Sequence, residues 1–101
     1  MDTAEGPNRV VFFGYSFQPN KACLVCEHVF SGKRPVRIIA HDLDGWIQFL
    51  CGDEAHDPKC SKVVALEEVL RRHPIDSKDK VLNPGCFAEL SNSLNWVIYE
   101  M

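Results

Sequence analysis

Five cysteines and four histidines are spread over 101 residues, and their tightest grouping is Cys23-Leu24-Val25-Cys26. A Cys-x-x-Cys pair can open a zinc site or act as a redox dithiol. Zinc in a structural site takes four ligands, so Cys23 and Cys26 would need Cys51 with Cys60 or His56 to complete the set. The spacing between Cys51 and Cys60 is poor for a zinc knuckle, and Leu24-Val25 offers no Gly or Pro for a tight turn. In a strand, Cys23 and Cys26 would point to opposite faces and could not share one ion. A redox dithiol draws on a helix N-terminus to lower its thiol pKa, which a strand does not supply. On that reading Cys26 and His28 share a face with Leu24 and Phe30, and the cysteines behave as small core hydrophobes. A Cys–His nucleophile can also be assembled from Cys26 or Cys51 with His28, His41 or His56, but only contact in space would establish one. The expectation is therefore no catalytic residue and no cofactor. Zinc on Cys23, Cys26, Cys51, Cys60 and His56 is the alternative.

The second grouping is Gly52-Asp53-Glu54-Ala55-His56-Asp57-Pro58, with three carboxylates and an imidazole. It lacks the alternating oxygen ligands and central glycine of a calcium loop. As a polar connection it makes the best exposed recognition surface, because loops braced by a rigid sheet often carry binding residues. Asp53, Glu54, His56 and Asp57 are the residues expected to meet a protein partner.

Charge limits the partners. Eleven basic against fourteen acidic residues leave −3, which argues against nucleic acid, whose backbone needs clustered Lys and Arg. Lys33-Arg34 with Arg37, and Arg71-Arg72-His73, are small enough to be solvated faces. The N-terminus is acidic and polar, without the basic and apolar regions of a secretory signal, and Val10 to Phe13 is too short to span a bilayer. Reduced cysteines and the cytoplasm are expected, with no membrane.

The elements that must hold these residues are those of an α+β fold. Hydrophobic residues make up 46% and charged residues 25% of the chain, enough for one core. Residues 1–8 read as a flexible arm and 9–101 as a single domain. Arg9 to Tyr15 is strand-like but weakened by Gly14, and Pro19-Asn20 marks a turn. Ala22 to Phe30, Val36 to His41 and Trp46 to Cys51 read as strands, with Asp44-Gly45 turning between the last two. Short connections favour an antiparallel β-meander. Val63, Leu66, Val69 and Leu70 recur at helical spacing, with Glu67–Arg71 and Glu68–Arg72 on the outer side and Pro74 as the stop. Ile75 to Gly85 is a loop, Phe87 to Leu94 a second short helix, and Asn95 to Glu100 a strand that rejoins the sheet. The fold expected is thus a meander with one or two short helices packed on one face and a C-terminal strand.

The run Cys26-Glu27-His28-Val29-Phe30-Ser31-Gly32, then Pro35-Val36, His41-Asp42 and Gly45-Trp46-Ile47-Gln48-Phe49-Leu50-Cys51-Gly52, with Val63-Val64 and the helix before Pro74, resembles a group of small uncharacterised bacterial proteins. It is also loosely similar to a domain of unknown function found among toxin-immunity proteins. The resemblance covers residues 22–75. It implies a small cytosolic protein, and on the immunity side a binder that occludes a toxin; it brings no catalytic residues. Sequence alone therefore favours a non-enzymatic protein-interaction module, with a thiol- or zinc-dependent protein as the alternative.

Overall fold

The computed structural model describes residues 9–52 and 61–101. The arm at 1–8 and the loop carrying Asp53, Glu54, His56, Asp57 and Cys60 lie outside the described residues. Among the described residues eight strands and two helices follow in the order β1 (Val10–Phe12), β2 (Tyr15–Phe17), β3 (Ala22–Val25), α1 (Glu27–Ser31), β4 (Ile38–His41), β5 (Ile47–Leu50), β6 (Lys62–Ala65), α2 (Leu66–Arg72), β7 (Cys86–Leu90) and β8 (Trp96–Glu100). The fold is α+β.

The main sheet has the order β6-β3-β5-β4-β7-β8. This is not a simple meander, because β3 and β5 pair in parallel while the other neighbours are antiparallel. The reason lies in Ala22 to Phe30, which is not one strand. Strand β3 stops at Val25, and Glu27 to Ser31 turn into a helix. Glu27 suits the positive end of the helix, and Gly32, at φ 81, takes the left-handed position that closes it by giving its N–H to Val29 O. The chain thus leaves the sheet before β4, and the β4–β5 hairpin returns β5 alongside β3.

The pairing register aligns Val25, Phe49, Ile39 and Ala88 in one row and Cys23, Ile47 and His41 in the next. All seven are buried. Phe12, Phe13, Val29, Leu66, Val69 and Leu82 join them in the core, so the helices and the β1–β2 hairpin pack on this inner face. The outer rows, such as Val63, Leu24, Gln48, Ala40, Phe87 and Tyr99, run across the other side.

Three further elements depart from the sequence expectation or sharpen it. Phe87 to Leu94 is not a helix: Cys86 to Leu90 is a strand held on both sides, by β4 and β8. The apolar spacing there is helical, but two ladders of hydrogen bonds and the burial of Ala88 override so short a pattern. Val63-Val64 is extended, and β6 passes into α2 without a loop. Ala65 cannot cap that helix, so Lys21 O and Pro19 O accept the N–H groups of Leu66 and Glu67 at 2.8 and 3.0 Å. On the outer side of α2, Glu68 accepts from both Arg71 and Arg72, at 2.6 and 2.7 Å.

Arg9 to Tyr15 is likewise not one strand but most of a tight hairpin. Phe13 and Gly14 form its two-residue turn, both with positive φ, 49 and 82°, as the twist of neighbouring strands demands. Phe13 accepts this unusual backbone because its ring is buried between Phe12 and Trp96, in edge-on contacts of 4.8 and 6.1 Å. Its N–H donates to Ser77 Oγ at 3.0 Å and its carbonyl accepts from Leu82 N–H at 3.0 Å. A Cβ on Gly14 would stand 2.7 Å from Val81 Cγ2.

Urea unfolding followed by tryptophan fluorescence tests this turn. Gly14→Ala is expected to lose about 1–2 kcal/mol through its left-handed backbone, and Phe13→Ala about 3–5 kcal/mol through the cavity it leaves.

Candidate functional site

Where β3 and β5 end side by side, the fold collects two of the cysteines and a histidine. Cys26 is the last residue of the β3 path, and its N–H donates to Phe49 O at 3.0 Å. Its carbonyl then accepts from Phe30 N–H at 2.9 Å, the first turn of α1. Two residues past Phe49, Cys51 leaves β5 at the same end of the sheet. His28 rises from α1 above them, with Nδ1 3.5 Å from Cys51 Sγ. The Cys26 thiol lies close enough to that of Cys51 for the two to interact. Cys26 is fully buried and Cys51 is 6% exposed.

The electrostatics of the two buried cysteines differ in origin. Burial pushes the Cys26 thiol up, while the N–H groups of Val29 and Cys51, which face its sulfur, pull it back. The Val29 contact falls short of a full capping hydrogen bond. At Cys23, burial pushes the thiol up to about 11, against a small opposing pull from Lys21. Cys23 turns its sulfur to Lys21 O at 3.5 Å, at the opposite end of β3. Three strand residues of about 3.3 Å rise separate it from Cys26, about 10 Å in all, so the two sulfurs do not meet on one ion.

The zinc set drawn from the sequence is thus divided. Cys26 and Cys51 come together, Cys23 stands apart, and Cys60 and His56 lie outside the described residues. Among the described residues no group of three or more His, Cys, Asp or Glu is arranged to hold a metal ion. Of the Cys–His combinations open to the sequence, the fold joins His28 with Cys51 among the described residues. The strand reading hid this, since it put Cys26 and His28 on one apolar face. The residue types that weaken a strand, Glu27 and His28 ahead of Ser31-Gly32, were the available signal.

Cys51 opens on a groove of about 490 Å³ lined by Arg34, Pro35, Arg37 and Gly52. Arg37 is steadied there by its guanidinium, which donates to Leu90 O at 3.3 Å. Two cationic side chains thus border the mouth of the thiol. A larger groove, about 610 Å³, is lined by Val36, Arg72, His73, Lys78, Leu90 and Trp96 among others, none of its described lining residues being a cysteine. Its one imidazole is engaged, with His73 Nε2 donating to Val29 O at 3.1 Å. We therefore weigh the smaller groove above the larger, since the chemistry lies there.

Neither protein-family models, nor curated proteins, nor solved structures match this chain. Among the described residues no helix is long and apolar enough to cross a membrane.

Because the Cys23 thiol titrates near 11 in the fold and near 9.0 when exposed, its neutral form favours the folded state. Stability from this group is complete below pH 9 and is lost as pH rises from about 9 to about 11, by roughly 2–3 kcal/mol. The expected outcome in urea titrations across that range is a steep fall for the native chain and a shallower one for Cys23→Ala.

Proposed function

We propose that this chain is a thiol-dependent protein in which Cys51 is the attacking thiol, Cys26 the resolving thiol and His28 the proton acceptor. The observation that carries the reading is the contact of Cys51 with both His28 Nδ1, at 3.5 Å, and the Cys26 thiol. The arginines that line the groove beside Cys51 favour an anionic co-reactant. Full burial keeps Cys26 protonated until a neighbouring sulfur becomes electrophilic.

The co-reactant is a small disulfide. The proton of Cys51 passes to His28, and the thiolate attacks one sulfur of the disulfide. A mixed disulfide forms on Cys51 and one thiol leaves, carrying a proton from the imidazolium or solvent. Cys26 then gives up its proton and attacks Cys51 Sγ, and the second thiol leaves. The chain loses two electrons and two protons, and one disulfide becomes two thiols.

Oxidised glutathione added to the native protein tests this, with peptide mass mapping as the readout. A Cys26–Cys51 disulfide is expected in the native chain, a mixed disulfide trapped on Cys51 in Cys26→Ser, and about a hundredfold slower reaction in His28→Gln. If Cys51 reacted no faster than Cys86 and no internal disulfide formed, the redox reading would be lost. Stoichiometric zinc that vanished in Cys51→Ser would move the same thiols to a metal-binding role instead.

A protein-interaction role is the second reading, of the immunity kind that the sequence resemblance implies. The observation that favours it is the outer face of the sheet, where Val63 and Tyr99 are 64% and 45% exposed and Tyr99 stacks on Phe87 at 5.3 Å. A photo-crosslinker at position 99 should then capture one partner that a crosslinker at position 76 does not. Equal labelling from both positions would count against it. The acidic contacts expected at Asp53, Glu54, His56 and Asp57 fall outside the described residues, so this reading rests on the sheet face.

A further inference from the structure

The other end of the sheet holds a second arrangement, independent of the thiols. His41 ends β4 on the inner face, 5% exposed, with Nδ1 2.8 Å from Leu82 O. A carbonyl oxygen only accepts, so Nδ1 donates, and in the neutral imidazole Nε2 then presents a lone pair. Among the described residues Nε2 has no hydrogen-bond partner. A buried acceptor in that condition calls for a donor.

His41 lines a groove of about 520 Å³ bordered by Arg9, Tyr15, Phe17, Lys21, Gly45 and Pro84. Tyr15 and Phe17 set their rings against His41 at 5.5 and 6.2 Å, near perpendicular and tilted. Tyr15 is fixed in turn by its hydroxyl, which donates to Asn83 Oδ1 at 2.5 Å. Both cations are held at the rim. Arg9 donates from Nε and Nη2 to Ser16 Oγ and Ser16 O, at 2.6 and 2.8 Å, and keeps further N–H groups for a ligand. Lys21 Nζ sits 5.9 Å from the centre of the Trp46 ring. No Asp or Glu is among the described residues that border the groove.

We propose that this groove binds a small aromatic hydroxy acid. The aromatic body lies against Tyr15 and Phe17, the hydroxyl donates to His41 Nε2, and the carboxylate meets Arg9 and Lys21. Apolar walls, two cations and one buried acceptor ask for those three features together. A purely apolar ligand would leave Nε2 unmatched, and a cation would meet like charge.

The experiment is an amide and histidine side-chain NMR titration of the full chain with 4-hydroxybenzoate and 4-hydroxyphenylacetate as probes. Benzoate, which lacks the hydroxyl, and 4-hydroxybenzamide, which lacks the charge, are the controls. The expected result is saturable shifts confined to residues around Tyr15, Phe17, His41 and Gly45 for at least one hydroxy acid. Each control should bind about tenfold or more weakly, because a site built to pair a hydroxyl rejects the analogue without it. Arg9→Gln and Lys21→Gln, both at the rim, should each weaken binding several-fold while shifting the free protein's amides only next to the substituted residue. His41→Asn should weaken it further, and the rim variants decide the matter if that chain fails to fold. No saturable shift by about 10 mM of either hydroxy acid, or equal binding of benzoate, would overturn the proposal. Loss of the Cys26–Cys51 chemistry would leave it untouched.

Discussion

One hydrogen bond decides how this chain is put together: the N–H of Cys26 donating to Phe49 O at 3.0 Å. It is the last rung of the parallel β3–β5 pair, and it holds that pair in step at the point where β3 gives way to α1. Phe49 is fully buried, with Val25 opposite it on one side and Ile39 on the other. The central strand is therefore fixed by the sheet on both flanks and by the helices and hairpin above. Because the two strands run the same way, their ends coincide, and Cys26 and Cys51 arrive together. An antiparallel pairing would have set the start of one strand against the end of the other and parted them.

What the sequence made legible follows from the range of the forces involved. Trp46 to Cys51, Val36 to His41 and the turn at Asp44-Gly45 are local features, and alternation with a tight-turn pair suffices to read them. The helix ending before Pro74 and the strand at Asn95 to Glu100 were readable for the same reason. Phe87 to Leu94 was misread because three apolar residues at helical spacing weigh less than two neighbouring ladders that no local pattern reveals. Ala22 to Phe30 was misread for the reverse reason: the strand propensity of its first half was carried across Cys26, where Glu27, His28 and the Ser31-Gly32 stop in fact start and end a turn of helix. That single boundary concealed the parallel pairing, and with it the meeting of Cys26, Cys51 and His28. The charged cluster after Gly52 was plain in the sequence, but its residues fall outside those described.

The inner face of the sheet is shared between two polar arrangements at opposite ends, separated by hydrophobic rows. Ile47 to Cys51 spans about 13 Å at the rise of a strand, with His41 paired beside Ile47 and the thiols beyond Leu50. Between them Val25, Phe49, Ile39 and Ala88 form a dry, close-packed layer. Such a layer transmits little charge but resists local rearrangement. Each end can therefore vary in its polar residues without disturbing the other, provided the central row is kept.

The β1–β2 hairpin is short and local in its own pairing, yet its anchors are remote. Phe13 is tied through Ser77 and Leu82, more than sixty positions along the chain. A ribosome releasing this chain would expose Val10 to Phe17 early and leave their aromatic rings without a seat until the segment beyond α2 had emerged. The hairpin is thus made well before the segment that seats it, and its bare rings are the surface that a holding chaperone would meet during synthesis.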